Sequence, residues 1–319
     1  MKFRMRTLGC LIMMLCLCFA AAAEETGIDP LIPALELPAD EGGNIHPIPV
    51  DAKAKTLRPP YSSGYIYPAE NESPTGYADP SITVNIARGR FADTDYVYAR
   101  VRIADASQLR TELTGRWTSE DTTLGVNVAK RVKAVIAING DYCLRAGIRQ
   151  GEVKSKNLRG DRDVLVIDKW GDLHILEDAN WEDVEAFGED AVNVFTFGPG
   201  IVINGQPKFG YVCGDISSDR PAQRTVIAQT GPLEYLLLNT SGPEDSGNKG
   251  LTLDQLTTLV SSFPEVINAF NLDGGGSSTM VFQRRDGKKY NNWLKINATV
   301  KKNRSLKDII YFSTAWEEN

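Results

Sequence analysis

The stretch Asn271-Leu272-Asp273-Gly274-Gly275-Gly276-Ser277-Ser278-Thr279 guides the interpretation of the whole chain. Apolar runs at 266–270 and 280–282 flank it, a pattern that predicts a strand, an abrupt glycine turn and a second strand. Glycine has no Cβ, so successive glycines let the backbone adopt positive φ and lie against a ligand, with N–H groups converging on an anion. Asp273 stands at the edge of this turn. The stretch therefore predicts a binding site, and a tight glycine-rich hairpin with a capping aspartate is the alternative.

Two further motifs place polar groups at the ends of predicted strands. Asn139-Gly140-Asp141-Tyr142 follows the apolar run 134–138, and Arg224-Thr225 opens the run 225–228. An arginine at the end of a strand can hold a phosphate through a bidentate fork that lysine cannot form. A turn aspartate and a solvated strand-end charge are the corresponding structural alternatives.

These motifs carry a resemblance to a known family. Residues 250–256 and 269–280 resemble the phosphodiester glycosidase family, and so do, in the same order, the segments around Asn139, Gly198-Pro199-Gly200, Arg224 and Arg304. The chain differs from the family pattern at Cys143, Asn239 and Ser305, where an aromatic residue, an aspartate and a proline are usual. The resemblance covers roughly residues 81–312. It implies an exported hydrolase that cleaves the glycosidic bond of a sugar-1-phosphodiester, within a phosphodiester-linked glycan or surface polysaccharide such as an exopolysaccharide.

Site roles follow from this resemblance and from the chemistry of the leaving group. A phosphate monoester leaves as a stable anion, so the reaction needs stabilisation of negative charge and a carboxylate near the oxocarbenium-like carbon or the attacking water. Asp273, Asp141 and Asn139 are the predicted catalytic residues. The predicted substrate- and phosphate-binding residues are Arg224, Gly274, Gly275, Gly276, Ser277, Ser278, Thr279 and Arg304. A divalent cation such as calcium would find oxygen ligands in Asp273 or Asp141, although no loop has metal-binding spacing.

Two other functions stay open at this point. A phosphodiesterase would use the same phosphate pocket but attack phosphorus, and a non-catalytic envelope protein would bind a glycan or phosphate without turnover. A Ser-His-Asp hydrolase and a histidine-ligated zinc site are nearly excluded, because the only histidines are His46 and His174.

The amino terminus predicts export. Lys2, Arg4 and Arg6 precede an apolar run and four alanines, as in a secretory signal peptide over residues 1–23. An uncleaved anchor is the alternative; after cleavage no stable membrane span is expected. Cleavage lowers the basic count from 35 to 32 against 41 acidic residues, a formal charge of −9 that argues against nucleic-acid partners. We therefore expect a secreted or cell-envelope protein.

The remaining chain divides into an arm and one domain. Ten of the sixteen prolines lie between residues 30 and 80, which predicts a proline-rich arm or linker over 24–80. Residues 81–319 are predicted to form the glycosidase-like domain, an α+β fold with a large mixed or mainly antiparallel sheet and a few flanking helices. Cys143 and Cys213 are a candidate disulfide in an exported protein, with two buried free thiols as the alternative.

Overall fold

The structure is a computed structural model of the 319-residue chain, and it describes residues 48–50, 57–68, 74–118, 122–142, 145–211, 218–284, 292–295 and 304–316. The signal peptide, most of the arm, Cys143 and Cys213 lie outside the described residues, so the predictions made for them stay predictions. Within the described part, no helix is long and apolar enough to cross a membrane.

Strands dominate the described residues. The strands are β1 (Tyr65–Ile66), β2 (Gly76–Asp79), β3 (Ile82–Phe91), β4 (Thr94–Ile103), β5 (Leu109–Leu113), β6 (Ile136–Asn139), β7 (Gly147–Arg149), β8 (Glu152–Ser155), β9 (Val164–Asp168), β10 (Leu173–Leu176), β11 (Ala191–Phe195), β12 (Gly200–Ile203), β13 (Gln206–Pro207), β14 (Thr225–Gly231), β15 (Glu234–Thr240), β16 (Asn268–Leu272), β17 (Met280–Arg284), β18 (Asn292–Lys295) and β19 (Asp308–Phe312). The helices are α1 (Gly125–Arg131), α2 (Trp181–Glu185) and α3 (Leu253–Ser261).

The strands form three antiparallel sheets. A nine-stranded sheet has the order β1-β2-β3-β4-β15-β14-β16-β12-β13, and two five-stranded sheets have the orders β10-β9-β11-β7-β8 and β18-β17-β6-β19-β5. Side chains from all three sheets, among them Ile227, Leu165 and Phe282, share one core cluster, while α3 covers the other face of the large sheet. The predicted α+β class with a large, mainly antiparallel sheet is confirmed.

Local signals in the sequence correspond to the observed elements. Thr252 caps α3 by accepting a hydrogen bond from the N–H of Gln255, whose side chain accepts one from Thr252 N–H in return. Asn204 and Gly205 have φ values of 50° and 74°, as a two-residue turn between β12 and β13 requires. The hairpins predicted at 164–176 and 225–238 are also present.

The glycine stretch does not close a hairpin. β16, which leads into it, pairs with β14 and β12 in the nine-stranded sheet. β17, which leads out, pairs with β6 and β18 in a five-stranded sheet. The predicted strand–turn–strand order is correct, but the turn carries the chain from one sheet to another and therefore lies where two sheets meet.

The folded unit begins before the predicted boundary at residue 81. β1 and β2 are strands of the large sheet, and the buried Tyr65 and Tyr77 belong to the shared core. Farther back, the buried Arg110 donates to the carbonyls of Pro49 and Val50. The described parts of the proline-rich segment are thus packed against the domain.

Candidate active site

The glycine stretch has two positions that only glycine fills without strain. A Cβ at Gly274 would lie 2.6 Å from the main-chain oxygen of Gln223, a contact that real Cβ atoms do not make. Gly275 has a φ of +58°, in the left-handed region that glycine adopts readily. Gly275 to Ser277 then form one turn of 3-10 helix. The triple glycine therefore brings two main-chain segments into contact beside the ends of β14 and β16, two interior strands of the large sheet.

Several main-chain amides of this turn bond within the fold. The N–H of Gly275 donates to the Gln223 carbonyl at 2.9 Å, and those of Ser277 and Ser278 donate to the carbonyls of Gly274 and Gly275 at 3.1 Å each. The N–H of Gly274 faces the carboxylate of Asp273. These amides hold the loop in shape, and the binding of phosphate by Gly274, Gly275 and Gly276 stays a prediction.

A substitution tests the close approach at Gly274. We expect Gly274→Ala to destabilise the protein by about 1–3 kcal/mol, since its methyl group would overlap the Gln223 carbonyl. Chemical denaturation measures the change. Gly276→Ala is the matched control, because its Cβ would meet only the Arg304 side chain at ordinary contact distance, 3.6 Å. Equal stabilities of the two variants would contradict the packing argument.

Asn139, at the end of β6, holds the glycine turn in place through hydrogen bonds. Its Nδ2 donates to the Asp273 carbonyl at 2.6 Å, and its Oδ1 accepts from Thr279 N–H at 2.9 Å and from the Thr225 hydroxyl at 2.8 Å. The side chain is almost fully buried. Asn139 thus connects a five-stranded sheet, the large sheet and the loop that carries Asp273.

Two more buried residues, Asn239 and Ser278, extend the hydrogen-bond network around Asn139. Nδ2 of Asn239 donates to the Thr225 hydroxyl at 2.7 Å and to the Arg224 carbonyl at 3.4 Å, contacts that an aspartate cannot make because it has no N–H. The hydroxyl of Ser278 lies 3.2 Å from that of Thr225. Asn239, Ser278 and the buried Thr279 therefore support the loop from inside the fold.

Asp141 is fixed by groups from the neighbouring sheet. One carboxylate oxygen accepts from the N–H of Tyr142 at 2.7 Å, and the other accepts from the N–H and hydroxyl of Thr196 at 2.6 and 3.2 Å. Its own N–H donates to Oδ1 of Asp308 at 2.7 Å. The carboxylate is therefore oriented where the two five-stranded sheets meet.

Asp308 is itself half of a buried ion pair, with Arg149, that no motif in the sequence singles out. Its Oδ2 accepts from Nε and Nη2 of Arg149 at 2.8 and 2.6 Å, and the Arg149 guanidinium lies 4.1 Å from the centre of the Phe195 ring. Burial raises the pKa of Asp308, and the positive charge of Arg149 opposes that rise. The pair connects β7 and β19 directly behind Asp141.

Asp273, directly after β16, lines the same cavity as Asp141. Burial raises the pKa of its carboxyl to about 6; the negative charge of Asp141 adds to the rise, while the Ser277 hydroxyl and the positive charge of Arg304 oppose it. The mutual influence of Asp273 and Asp141 places the two carboxylates in one electrostatic environment. A carboxyl with a pKa near neutrality can take up or release a proton during a reaction.

The two predicted arginines also reach this hollow. Arg224 is buried, its Nε donates to the Leu251 carbonyl and its Nη2 to the Arg220 carbonyl, and neither bond uses Nη1. Burial lowers the pKa of Arg224 to about 10, and within the described residues no carboxylate pairs with it. Arg304 is exposed, and its guanidinium lies 5.5 Å from the centre of the Tyr142 ring.

A cleft of about 590 Å³ collects these side chains. Its lining residues are Asp141, Tyr142, Arg145, Arg162, Thr196, Phe197, Arg220, Pro221, Ala222, Gln223, Arg224, Pro243, Glu244, Asp273, Gly274, Gly275 and Arg304. A smaller adjoining cavity of about 230 Å³ shares Asp141, Tyr142, Asp273 and Arg304 with it and adds Asn139 and Ser277. Sequence reasoning missed Arg145, Arg162 and Arg220, for which no motif is visible. Tyr142 belongs to the motif at 139–142 but was not among the predicted site residues.

No metal centre stands out. Among the residues that the structure describes, no group of three or more His, Cys, Asp or Glu side chains has the arrangement of metal ligands. Calcium binding by the carboxylates of Asp141 and Asp273 stays a prediction.

Comparison with known proteins gives the family. A family model described as phosphodiester glycosidase matches residues 126–313, more than half of the chain. The chain belongs to the phosphodiester glycosidase family. The matched region contains Asp141, Arg224, Asp273 and Arg304, the four charged residues of the cleft that the sequence motifs predicted.

Solved structures agree with this fold. The zebrafish N-acetylglucosamine-1-phosphodiester alpha-N-acetylglucosaminidase catalytic domain, auto-inhibited by its pro-peptide, aligns with a TM-score of 0.58 at 18% identity, covering 78% of this chain and 86% of that one. A hypothetical protein from Synechocystis aligns with a TM-score of 0.57 at 15% identity, covering 72% and 62%. At such identities the likeness concerns the fold. No curated protein matches the sequence.

Proposed function

We propose that this member of the phosphodiester glycosidase family is an exported hydrolase that cleaves the bond between a sugar and its anomeric phosphate within a phosphodiester. The observation that carries the proposal is the meeting of two carboxylates, Asp141 and Asp273, with two guanidinium groups, Arg224 and Arg304, in one cleft. Carboxylates serve a cationic sugar carbon and its attacking water, and guanidinium groups serve a phosphate. Family membership supports the same reaction class.

The leaving group determines what each cation contributes. A phosphate monoester departs as an anion, so the transition state gains negative charge on the phosphate oxygens. We assign Arg224 as the main phosphate ligand, because the Leu251 and Arg220 carbonyls fix its guanidinium before substrate binds. A group that is already oriented loses little freedom on binding. Arg304, which is exposed, adds a second positive charge near the same oxygens.

The carboxylates differ in their surroundings, and this difference suggests their roles. We assign Asp273 as the general base that takes a proton from water, since its pKa of about 6 suits proton transfer near neutral pH. We assign Asp141 as the fixed negative charge that stabilises the oxocarbenium-like carbon, since its two oxygens are held by Tyr142 and Thr196. Asn139 is assigned to positioning Asp273, whose carbonyl it binds.

Hydrolysis in heavy-oxygen water tests the reaction class. The substrates are a panel of sugar-1-phosphodiesters, assayed with and without a chelator, and mass spectrometry locates the label. Label on the anomeric oxygen of the sugar is the expected result. Label on the phosphate would instead establish a phosphodiesterase, and no cleavage of any panel member would favour a binding protein.

The pH dependence of kcat/KM tests the role of Asp273. Activity that needs the ionised carboxylate should rise with pH through an apparent pKa of about 6. Arg304→Gln should move this rise to higher pH, because burial raises the Asp273 pKa and the Arg304 charge that opposes the rise is lost. Arg304→Lys keeps the charge and is the control. A profile that falls through pH 6, or one that both variants leave in place, would argue against the assignment.

The guanidinium group of Arg224 offers several donors in a fork, so we expect that a positive charge alone cannot replace it in binding phosphate. In Arg224→Lys a single ammonium group cannot donate to the Leu251 and Arg220 carbonyls while also holding phosphate. We expect kcat/KM to fall about 10- to 100-fold, as for the loss of one or two charge-assisted hydrogen bonds. Steady-state kinetics measure the loss, and unchanged kinetics in a folded variant would exclude Arg224 as a phosphate ligand.

A further inference from the structure

The cleft holds more positive charge than one phosphodiester requires. Five arginines line it, against the three acidic residues Asp141, Glu244 and Asp273, in a chain whose formal charge is −6; the arginines are Arg145, Arg162, Arg220, Arg224 and Arg304. A phosphodiester carries a single negative charge, for which Arg224 and Arg304 are sufficient. Arg145 forms an ion pair with Asp161, which is not one of the lining residues. The other positive charges that face the cleft repel each other, and this repulsion favours the binding of an anion there.

The three additional arginines belong to two parts of the lining. Arg145 and Arg162 both line the cleft: Nη1 of Arg162 donates to the Phe197 carbonyl at 3.1 Å, and Nη1 of Arg145 donates to both carboxylate oxygens of Asp161 at 2.6 and 2.7 Å. These hydrogen bonds orient both guanidinium groups before an anion binds.

Arg220 forms the other of these two parts of the cleft lining. Its main-chain carbonyl accepts the hydrogen bond from Arg224, which fixes the segment that carries it next to the phosphate-binding arginine. Its side chain is exposed, and no acidic side chain in the described part of the chain pairs with it. Arg220 therefore presents an uncompensated positive charge at the mouth of the cleft.

We propose that Arg145, Arg162 and Arg220 form a second anion subsite, which takes a phosphate or another anionic group carried by the aglycone. The proposal rests on the proposed function, since it assumes that Arg224 and Arg304 hold the phosphate at the scissile bond. The favoured substrate is then a polyanionic chain, such as a polymer with repeated phosphodiester links, rather than an isolated glycosyl phosphodiester. A second anion also accounts for the size of the cleft, which is within the range of sites for ligands larger than one sugar phosphate.

Two matched substrates test the subsite. Both are sugar-1-phosphodiesters with the same alkyl aglycone, which ends in a hydroxyl group in one and in a phosphate monoester in the other; a third, ending in a carboxylate, shows whether phosphate is specifically preferred. We expect wild-type kcat/KM to be about tenfold or more higher for the phosphate-bearing substrate, as for one or two charge-assisted hydrogen bonds. This ratio should fall as salt concentration rises, because the subsite is open to solvent.

Variants locate the effect. Arg220→Gln and Arg145→Gln should each bring the ratio between the two substrates toward one, whereas Arg102→Gln, in a half-buried ion pair outside the cleft, should leave the ratio as in the wild type. Efficient cleavage of both substrates at equal rates by the wild type would overturn the subsite and leave the proposed function intact. Cleavage of neither substrate would overturn the proposed function itself.

Discussion

Asp273→Asn is expected to lower kcat by about 10²- to 10⁴-fold, the usual contribution of a general acid or base, and to raise the melting temperature at neutral pH. The two effects have one cause. Burial raises the pKa of Asp273 to about 6, which means that the fold disfavours the ionised carboxylate that the reaction needs. Asparagine has nearly the same shape and carries no charge, so it removes the catalytic group together with its energetic cost.

The sign of the stability change depends on pH in a defined way. The folded pKa is above the ordinary value of an aspartate, so the contribution of Asp273 to stability is most favourable while its carboxyl is protonated in both the folded and unfolded states. This contribution falls as pH rises from about 4, near the unfolded pKa, through the folded pKa of about 6. The melting temperature of Asp273→Asn should therefore match the wild type at low pH and exceed it above pH 6.

Thermal unfolding and steady-state kinetics at several pH values measure both effects. Glu152→Gln is a suitable control, because Glu152 forms an exposed ion pair outside the cleft and should change neither kcat nor the pH dependence of stability. An Asp273→Asn variant with near wild-type kcat would remove Asp273 from the mechanism. A lost activity without a stability gain would show that its carboxylate is better solvated than the structure indicates.

The elements of the fold were predictable where their signals are local. The Thr252 cap, the Asn204-Gly205 turn and the apolar runs of β9 and β14 each specify an element within a few residues. The change of sheet between β16 and β17 was not predictable, because it depends on pairing with β14 and β6, which are distant in sequence. Hydrophobic periodicity identifies a strand but not its partner.

The candidate site, like the fold, was predictable only where its signals are local in sequence. Asp141, Arg224, Asp273 and Arg304 were selected from motifs, and the structure places them around one cleft. The acceptors of the loop amides were not predictable, because they include the carbonyl of Gln223, which no local pattern connects to the glycines. Asp308 was overlooked for a related reason. It stands beside an apolar strand like many surface aspartates, and its partners Asp141 and Arg149 are 167 and 159 positions away.

Asp308→Asn is expected to have the largest effect on stability. It removes the carboxylate that pairs with the Arg149 guanidinium, which is buried against Phe195, and breaking a buried pair in this way costs about 3–5 kcal/mol. Denaturant unfolding measures the change. Asp161→Asn provides the matched control, because Asp161 pairs with Arg145 at the surface, where an ion pair contributes about 0–1 kcal/mol.

A double variant separates the stability of this pair from its effect on the site. Arg149→Met combined with Asp308→Leu removes both charges, so it should recover much of the stability that Asp308→Asn loses, since apolar residues of similar volume often replace a buried pair without net cost. The kcat of this double variant should nevertheless be low. The N–H of Asp141 donates to the Asp308 carboxylate in the wild type, and leucine at position 308 has no acceptor for this hydrogen bond. Recovery of stability and kcat together would mean that Asp308 holds the sheets together but does not position Asp141. Recovery of stability alone would establish Asp308 as a positioning residue for the Asp141 carboxylate.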